Sequence, residues 1–170
     1  MNKTRKMVNL SLLTTIALTI YIVESYIPPI APIPGIKLGL SNVVTLIILL
    51  LWGWKEALSV LFMRITLGSI FTSQLMALIY SLAGGGLCLI LMCIGKKIIP
   101  KDMTWLISVI GALGHNIGQL TIASIVVNNN GVFVYLPILL ISGIITGVFT
   151  GITSQALMNN IYVKKLFKNI

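Results

Sequence analysis

At 170 residues, 57% of them hydrophobic and 9% charged, with a mean hydropathy of +1.04, the chain is too apolar for a water-soluble domain and reads as an integral membrane protein. Its formal net charge of +9 would suggest nucleic acid in a soluble protein. Here the basic residues lie in short tracts at the ends of apolar stretches, where they set topology, and no nucleic-acid partner is expected.

Broken at charges, Pro, Gly and Asn, the sequence yields six candidate spans, at about 8–27, 39–53, 56–72, 74–95, 104–127 and 134–158. The first is long enough to cross a bilayer and lacks a small-x-small site before Glu24, so a retained span is expected rather than a cleaved leader. The second and third are near the minimum length for crossing, which leaves four spans plus a re-entrant pair as the alternative. The tally of Lys and Arg favours six. With the N-terminus inside, Lys3, Arg5, Lys6, Lys55, Lys96, Lys97, Lys101, Lys164, Lys165 and Lys168 fall on the inner side, Lys37 on the outer side, and Arg64 within a span. The expected architecture is an all-α, six-transmembrane-helix bundle. It forms a single domain over 1–170 with both termini cytoplasmic, multi-pass in the cell membrane.

Along the first span, Ser11, Thr15 and Thr19 are spaced by four and share a helix face. Such a small, flat stripe serves either close packing within the bundle or docking of another protein. Glu24 lies near the outer end, one turn before Pro28, and can face the following loop. That loop, Pro32-Ile-Pro-Gly35-Ile-Lys37-Leu-Gly39-Leu-Ser41-Asn42, leads a glycine-rich turn and a Ser41/Asn42 helix-capping pair into the second span. Free N–H groups and the positive end of a helix dipole suit an anionic group, and Lys37 adds a full charge. The stretch reads as a lid over a binding site, the plainer alternative being a loop lysine with no ligand.

Arg64, mid-way along the third span, needs a partner, either Glu24 or an anionic ligand. In the fourth span, Tyr80-Ser81-Leu-Ala-Gly84-Gly85-Gly86 puts three consecutive glycines in a helix, at about 1 kcal/mol each relative to Ala. That cost is explained by tight packing, a kink, or backbone lying against a ligand. Cys88 and Cys93 follow, five apart and on different helix faces, so neither a disulfide nor a zinc site is expected. The fifth span carries His115 and Gln119 on one face, with Asn116 beside them and glycines around them. The cluster reads as a polar pocket, or as hydrogen-bonded packing. Asn128 to Gly131 reads as an outer turn, and Gly143, Gly147 and Gly151 in the sixth span form a packing row.

The chain has three acidic residues, Glu24, Glu56 and Asp102, and neither a phosphate-binding Gly-x-x-x-x-Gly-Lys-Ser/Thr nor a Cys/His metal spacing. Magnesium-dependent phosphoryl or prenyl chemistry needs clustered carboxylates. No catalytic role, metal or cofactor is therefore expected, with a membrane enzyme using His115 as base a distant rival.

The runs Glu24-Ser-Tyr-Ile-Pro28, Pro34-Gly-Ile-Lys-Leu-Gly-Leu-Ser-Asn42, Tyr80-Ser-Leu-Ala-Gly-Gly-Gly86 and Gly111-Ala-Leu-Gly-His-Asn-Ile-Gly-Gln119 resemble the bacterial membrane family labelled heptaprenyl diphosphate synthase component I, also called Gx transporters. The likeness covers nearly the full chain, and Pro-Gly-Ile-Lys-Leu-Gly-Leu-x-Asn with His-Asn-x-x-Gln is its most specific part. That family is similar to the substrate-binding S components of energy-coupling-factor (ECF) transporters, six-helix proteins of the bacterial cytoplasmic membrane that capture micronutrients from outside. The resemblance implies a small-molecule substrate held under the loop joining the first two spans. It implies docking through the first span onto a transmembrane coupling subunit driven by two cytoplasmic ATPases. The docking stripe typical of S components is Ala-x-x-x-Ala; here Ser11, Thr15 and Thr19 form the row and Ala17 lies off it. Glu24, Lys37, Gly39, Ser41, Asn42, Arg64, Tyr80, Ser81, His115, Asn116 and Gln119 are the expected binding residues. The rival function is a non-catalytic membrane subunit associated with polyprenyl diphosphate or quinone synthesis. Soluble prenyl synthases of this type use Asp-Asp-x-x-Asp, whereas Asp102 is the only Asp here.

Overall fold

The computed structural model describes residues 3–28 and 37–160; positions 29–36, which include the first half of the expected lid, and Lys164, Lys165 and Lys168 lie outside the described residues. Within them the chain is all helical: α1 (Lys3–Ser25), α2 (Asn42–Leu51), α3 (Trp54–Thr72), α4 (Leu75–Ile98), α5 (Thr104–Val127) and α6 (Leu136–Asn159). Short 3₁₀ turns at Lys101–Met103 and Asn130–Tyr135 join α4 to α5 and α5 to α6. No strand occurs among the described residues.

Four elements are long and apolar enough to cross a membrane: α1, α4, α5, and α6 together with the turn before it. Large apolar side chains cover their outer surfaces, among them Ile90, Ile94, Ile125, Ile141, Ile145, Phe149 and Ile152. The buried side includes Glu24, Lys37, Arg64, His115, Asn116 and Gln119. A polar interior under an apolar exterior is the arrangement that lipid as solvent demands.

The expected second span is too short as seen to cross a membrane alone. Instead of 39–53, α2 has ten residues, about 15 Å at 1.5 Å per residue, and does not cross a core of roughly 30 Å by itself. It is short because residues 37–41 enter the bundle as non-helical backbone, with Gly39 at φ +81°. At its other end Gly53 at φ +106° turns the chain into α3. The 19 residues of α3 reach about 28 Å and carry Lys55, Glu56 and Arg64. Despite its length α2 is central: it touches each of the other five helices, and seven of its ten residues, Asn42 and Val44 to Leu49, are buried.

Around it, α1 packs on α3, α3 on α4, α4 on α5 and α5 on α6. The last two contacts are glycine seams. A Cβ on Gly147 would lie 2.7 Å from the Val109 backbone, and one on Gly151 would collide with the Trp105 backbone, so the Gly143/Gly147/Gly151 row seats α6 directly on α5. Ser108 and Thr150 hydrogen-bond across the same seam at 2.8 Å. Gly118 plays the equivalent part against Ala83 and Gly84 of α4. Cys88 is buried and Cys93 partly so, both free.

At one end of the bundle Lys6 at the start of α1 pairs with Glu56 at the start of α3. There too, Lys96 in the last turn of α4 donates to the Leu49 carbonyl at the end of α2, at 2.7 Å. The Gly147→Val substitution should lower unfolding stability in detergent by about 1–3 kcal/mol through overpacking. Gly86→Ala, which meets nothing within 4 Å, should leave stability unchanged or raise it by up to about 1 kcal/mol. Thermal melts of both variants, followed by size-exclusion, check the pair.

Candidate functional site

The site forms where the non-helical backbone before α2 is inserted between α1, α3 and α5. Three side chains on three helices meet it. Glu24 on α1 accepts a hydrogen bond from the Gly39 N–H. Gln119 on α5 accepts one from the Lys37 N–H at 3.3 Å. Arg64 on α3 donates through Nη1 to the Ser41 hydroxyl and through Nη2 to Asn42 Oδ1 at 2.5 Å. Each of these side chains is almost fully buried.

Ser41 therefore does not act as the expected capping side chain. It is at the N-cap position with no side-chain cap hydrogen bond, because its hydroxyl is engaged by Arg64. Arg64 likewise finds its hydrogen-bonding partners in Ser41 and Asn42, not in Glu24, whose carboxylate is taken up by the backbone.

Lys37 points inward. Its ammonium lies 3.4 Å from the centroid of the Tyr21 ring, a cation–π contact. Tyr21 is itself fixed: its ring leaves no room for a Cβ on Gly68, and its hydroxyl is shared with Ser81 at 3.2 Å and Ser69 at 3.4 Å. Gly39 is needed for two reasons. Its φ of +81° disfavours any side chain, and a Cβ there would meet Asn42 Nδ2 at 2.7 Å and His115 Cδ2 at 2.8 Å.

Between these groups lies a void of about 10 Å³, room for one water, lined by Tyr21, Glu24, Lys37, Gly39, Ser41, Arg64, Ile65, Ser81 and His115. Several buried polar atoms here lack a hydrogen-bond partner among the described residues. They are the donors Lys37 Nζ and Arg64 Nε, the acceptor Glu24 Oε2, and His115 Nε2; Asn42 Nδ2 and Gln119 Nε2 lie just outside the void in the same condition. Such groups normally find partners, since each costs about 1–3 kcal/mol when left unsatisfied.

Of the expected binding residues, Glu24, Lys37, Gly39, Ser41, Arg64, Ser81 and His115 line the void, and Asn42 and Gln119 hold its rim. Two face elsewhere. Asn116 donates to the Leu139 carbonyl on α6 at 2.5 Å, and Tyr80 packs in a separate apolar cluster with Leu120, Ala123, Val132 and Leu139. One helical position, about 100° of rotation, separates each from its site-facing neighbour, His115 or Ser81. Tyr21 was not among the expected residues; the signal for it is its position three before Glu24, on the same face of α1. Ser11, Thr15 and Thr19 are exposed on the face of α1 away from the bundle, with the Thr15 and Thr19 hydroxyls bonded to the backbone one turn earlier. Among the described residues no group of three His, Cys, Asp or Glu side chains is placed to hold a metal.

A family model described as heptaprenyl diphosphate synthase component I matches residues 13–157, from within α1 to the end of α6. The chain belongs to that family. Comparison with curated proteins and with solved structures found no match. The matched stretch contains every residue lining the void, so the buried polar site lies within the part of the chain that is held in common with the family.

Replacing Glu24 separates its two roles. Glu24→Gln keeps an oxygen for the Gly39 N–H and should cost less than about 1 kcal/mol. Glu24→Ala leaves that buried N–H unpaired and should cost about 1–3 kcal/mol, read as the difference between the two melting curves in detergent.

Proposed function

We propose that the chain is the substrate-binding membrane component of an ECF-type transporter. It captures a small anionic or polar-headed molecule from outside, for ATP-driven uptake by a transmembrane coupling subunit and two cytoplasmic ATPases. In this reading residues 1–170 are one membrane domain of six crossings with both termini cytoplasmic, α2 completing its crossing through the non-helical segment before it. The chain performs no catalysis. Glu24, Lys37, Gly39, Ser41, Asn42, Arg64, Tyr80, Ser81, His115, Asn116 and Gln119 are its proposed substrate-binding set, and the exposed row Ser11, Thr15 and Thr19 its docking face.

The observation that carries this reading is the surplus of unpaired, buried donors around the void. Lys37 Nζ and Arg64 Nε bring two positive groups against one free carboxylate oxygen of Glu24, so the missing partner is rich in acceptors. A void of about 10 Å³ holds no such molecule, so binding displaces the 37–41 segment and lifts the Lys37 ammonium off Tyr21 to meet the ligand. Gly39 supplies the backbone freedom for that movement.

The family description names a synthase component, which favours as the second reading a non-catalytic membrane subunit associated with polyprenyl diphosphate or quinone synthesis. Partner capture separates the two. Co-purification with ATPase subunits supports uptake, and co-purification with a soluble prenyl synthase supports the second reading.

Mass spectrometry of gently purified protein should reveal a bound small molecule in near-stoichiometric amount. Lys37→Ala and Arg64→Met should each reduce its occupancy at least tenfold, the loss of about 1.4 kcal/mol expected for one charge-assisted contact. An empty protein that no carboxylate or phosphate ester in a screen stabilises would overturn the binding role.

A further inference from the structure

The bundle has a second cavity, at the end opposite the Lys37 site. Its volume is about 560 Å³, within the range of small-molecule pockets. It exists because α2 stops at Leu51 while α4, α5 and α6 are each 24 residues long. The space beyond the end of the short central helix is bordered by its long neighbours and open to the outside past Lys96 and Asp102.

Leu50, Ile99, Ile107 and Met158 give the cavity an apolar wall, and Lys96 and Asp102 add charge to it. Two hydrogen bonds hold that polar part in place. Lys96 is anchored on the Leu49 carbonyl at 2.7 Å, which uses one of the three N–H groups of its ammonium. Gln155 of α6 donates to the Asp102 carbonyl at 2.6 Å, fastening α6 to the turn between α4 and α5. At about 560 Å³ the cavity already has room for a ligand, unlike the void of about 10 Å³ at the other end.

We propose that this cavity binds a phosphate-headed amphiphile: its apolar chain lies along Leu50, Ile99, Ile107 and Met158, and its phosphate meets the free N–H groups of Lys96. The lining has one charge of each sign, Lys96 and Asp102, and Lys97 beside Lys96 in the last turn of α4 tips the balance toward an anionic head. A basic pair such as Lys96–Lys97 at the end of a membrane helix attracts phosphate headgroups. Two sources share this chemistry, a phospholipid of the adjacent leaflet and a prenyl diphosphate.

Native mass spectrometry of the full chain, titrated separately with dioleoyl phosphatidylglycerol and with farnesyl diphosphate, tests the proposal. At least one probe should be retained. Lys96→Gln should weaken it about fivefold and Asp102→Asn should strengthen it by a similar factor, each the equivalent of ~1 kcal/mol for one charge beside an anionic headgroup. Met158→Trp, which fills the cavity, should weaken it further. Ile145→Trp, on the outward face of α6, should leave retention unchanged. Tighter retention of the lipid assigns the site to the membrane, and tighter retention of farnesyl diphosphate assigns it to prenyl metabolites. Opposite signs for Lys96→Gln and Asp102→Asn cannot both come from misfolding. Retention of neither probe, or equal retention by the parent, Lys96→Gln and Met158→Trp proteins, would overturn the proposal, as would weakening by Asp102→Asn.

Discussion

Backbone that enters an apolar bundle without being helical must have its N–H groups satisfied by something other than water. In this protein that requirement falls on residues 37–41, and the polar interior is arranged around it. Glu24 takes the Gly39 N–H, Gln119 the Lys37 N–H, and Arg64 clamps Ser41 and Asn42. These three side chains come from α1, α5 and α3, so one short segment ties together helices far apart in sequence. Without Glu24 and Gln119, the buried N–H groups of Gly39 and Lys37 would be left unpaired in this non-helical segment, each at a cost of about 1–3 kcal/mol.

The same segment sets the length of α2, and the length of α2 shapes both ends of the molecule. Non-helical chain on one side of the helix creates the polar site; the early stop on the other side creates the larger cavity capped by Lys96. A central helix of ten residues can be tolerated because neighbouring helices shield it and little of it faces the surroundings. Glycine seams on α5 and α6 complete the shielding by letting the outer helices approach backbone to backbone.

The polar site has more charge than its own hydrogen bonds use. Structural support of the 37–41 backbone explains one oxygen of Glu24 and both terminal nitrogens of Arg64. It leaves the second Glu24 oxygen, Arg64 Nε and the ammonium of Lys37 unaccounted for. Resting a lysine on a tyrosine ring inside a bundle is a favourable contact, worth about 2 kcal/mol where water is excluded. It is also reversible, since the flexible four-carbon stem can carry the charge elsewhere.

Much of this was legible in the sequence, and where it was not the reasons are physical. Hydropathy and the spacing of Lys and Arg locate all six helices to within about five residues, but the apolar run from Leu40 to Leu51 reads the same whether it is a span or a short buried helix. The i, i+4 relation of His115 and Gln119 follows from helical periodicity, and the placing of Glu24 against the Lys37 loop from its position one turn before Pro28. By contrast Asn116 and Tyr80 were drawn into the site by sequence proximity, although one residue of rotation turns each toward α5–α6 packing. Composition and periodicity by themselves determined an all-helical protein with an apolar exterior and a few deliberately buried charges, because lipid exposure and the 3.6-residue repeat are local properties. Which charge meets which group was decided only by the tertiary structure. That Arg64 holds Ser41 and Asn42, that Glu24 serves the backbone, and that Tyr21 receives Lys37 depend on how α1, α3 and α5 enclose the segment before α2, and no local rule specifies that enclosure.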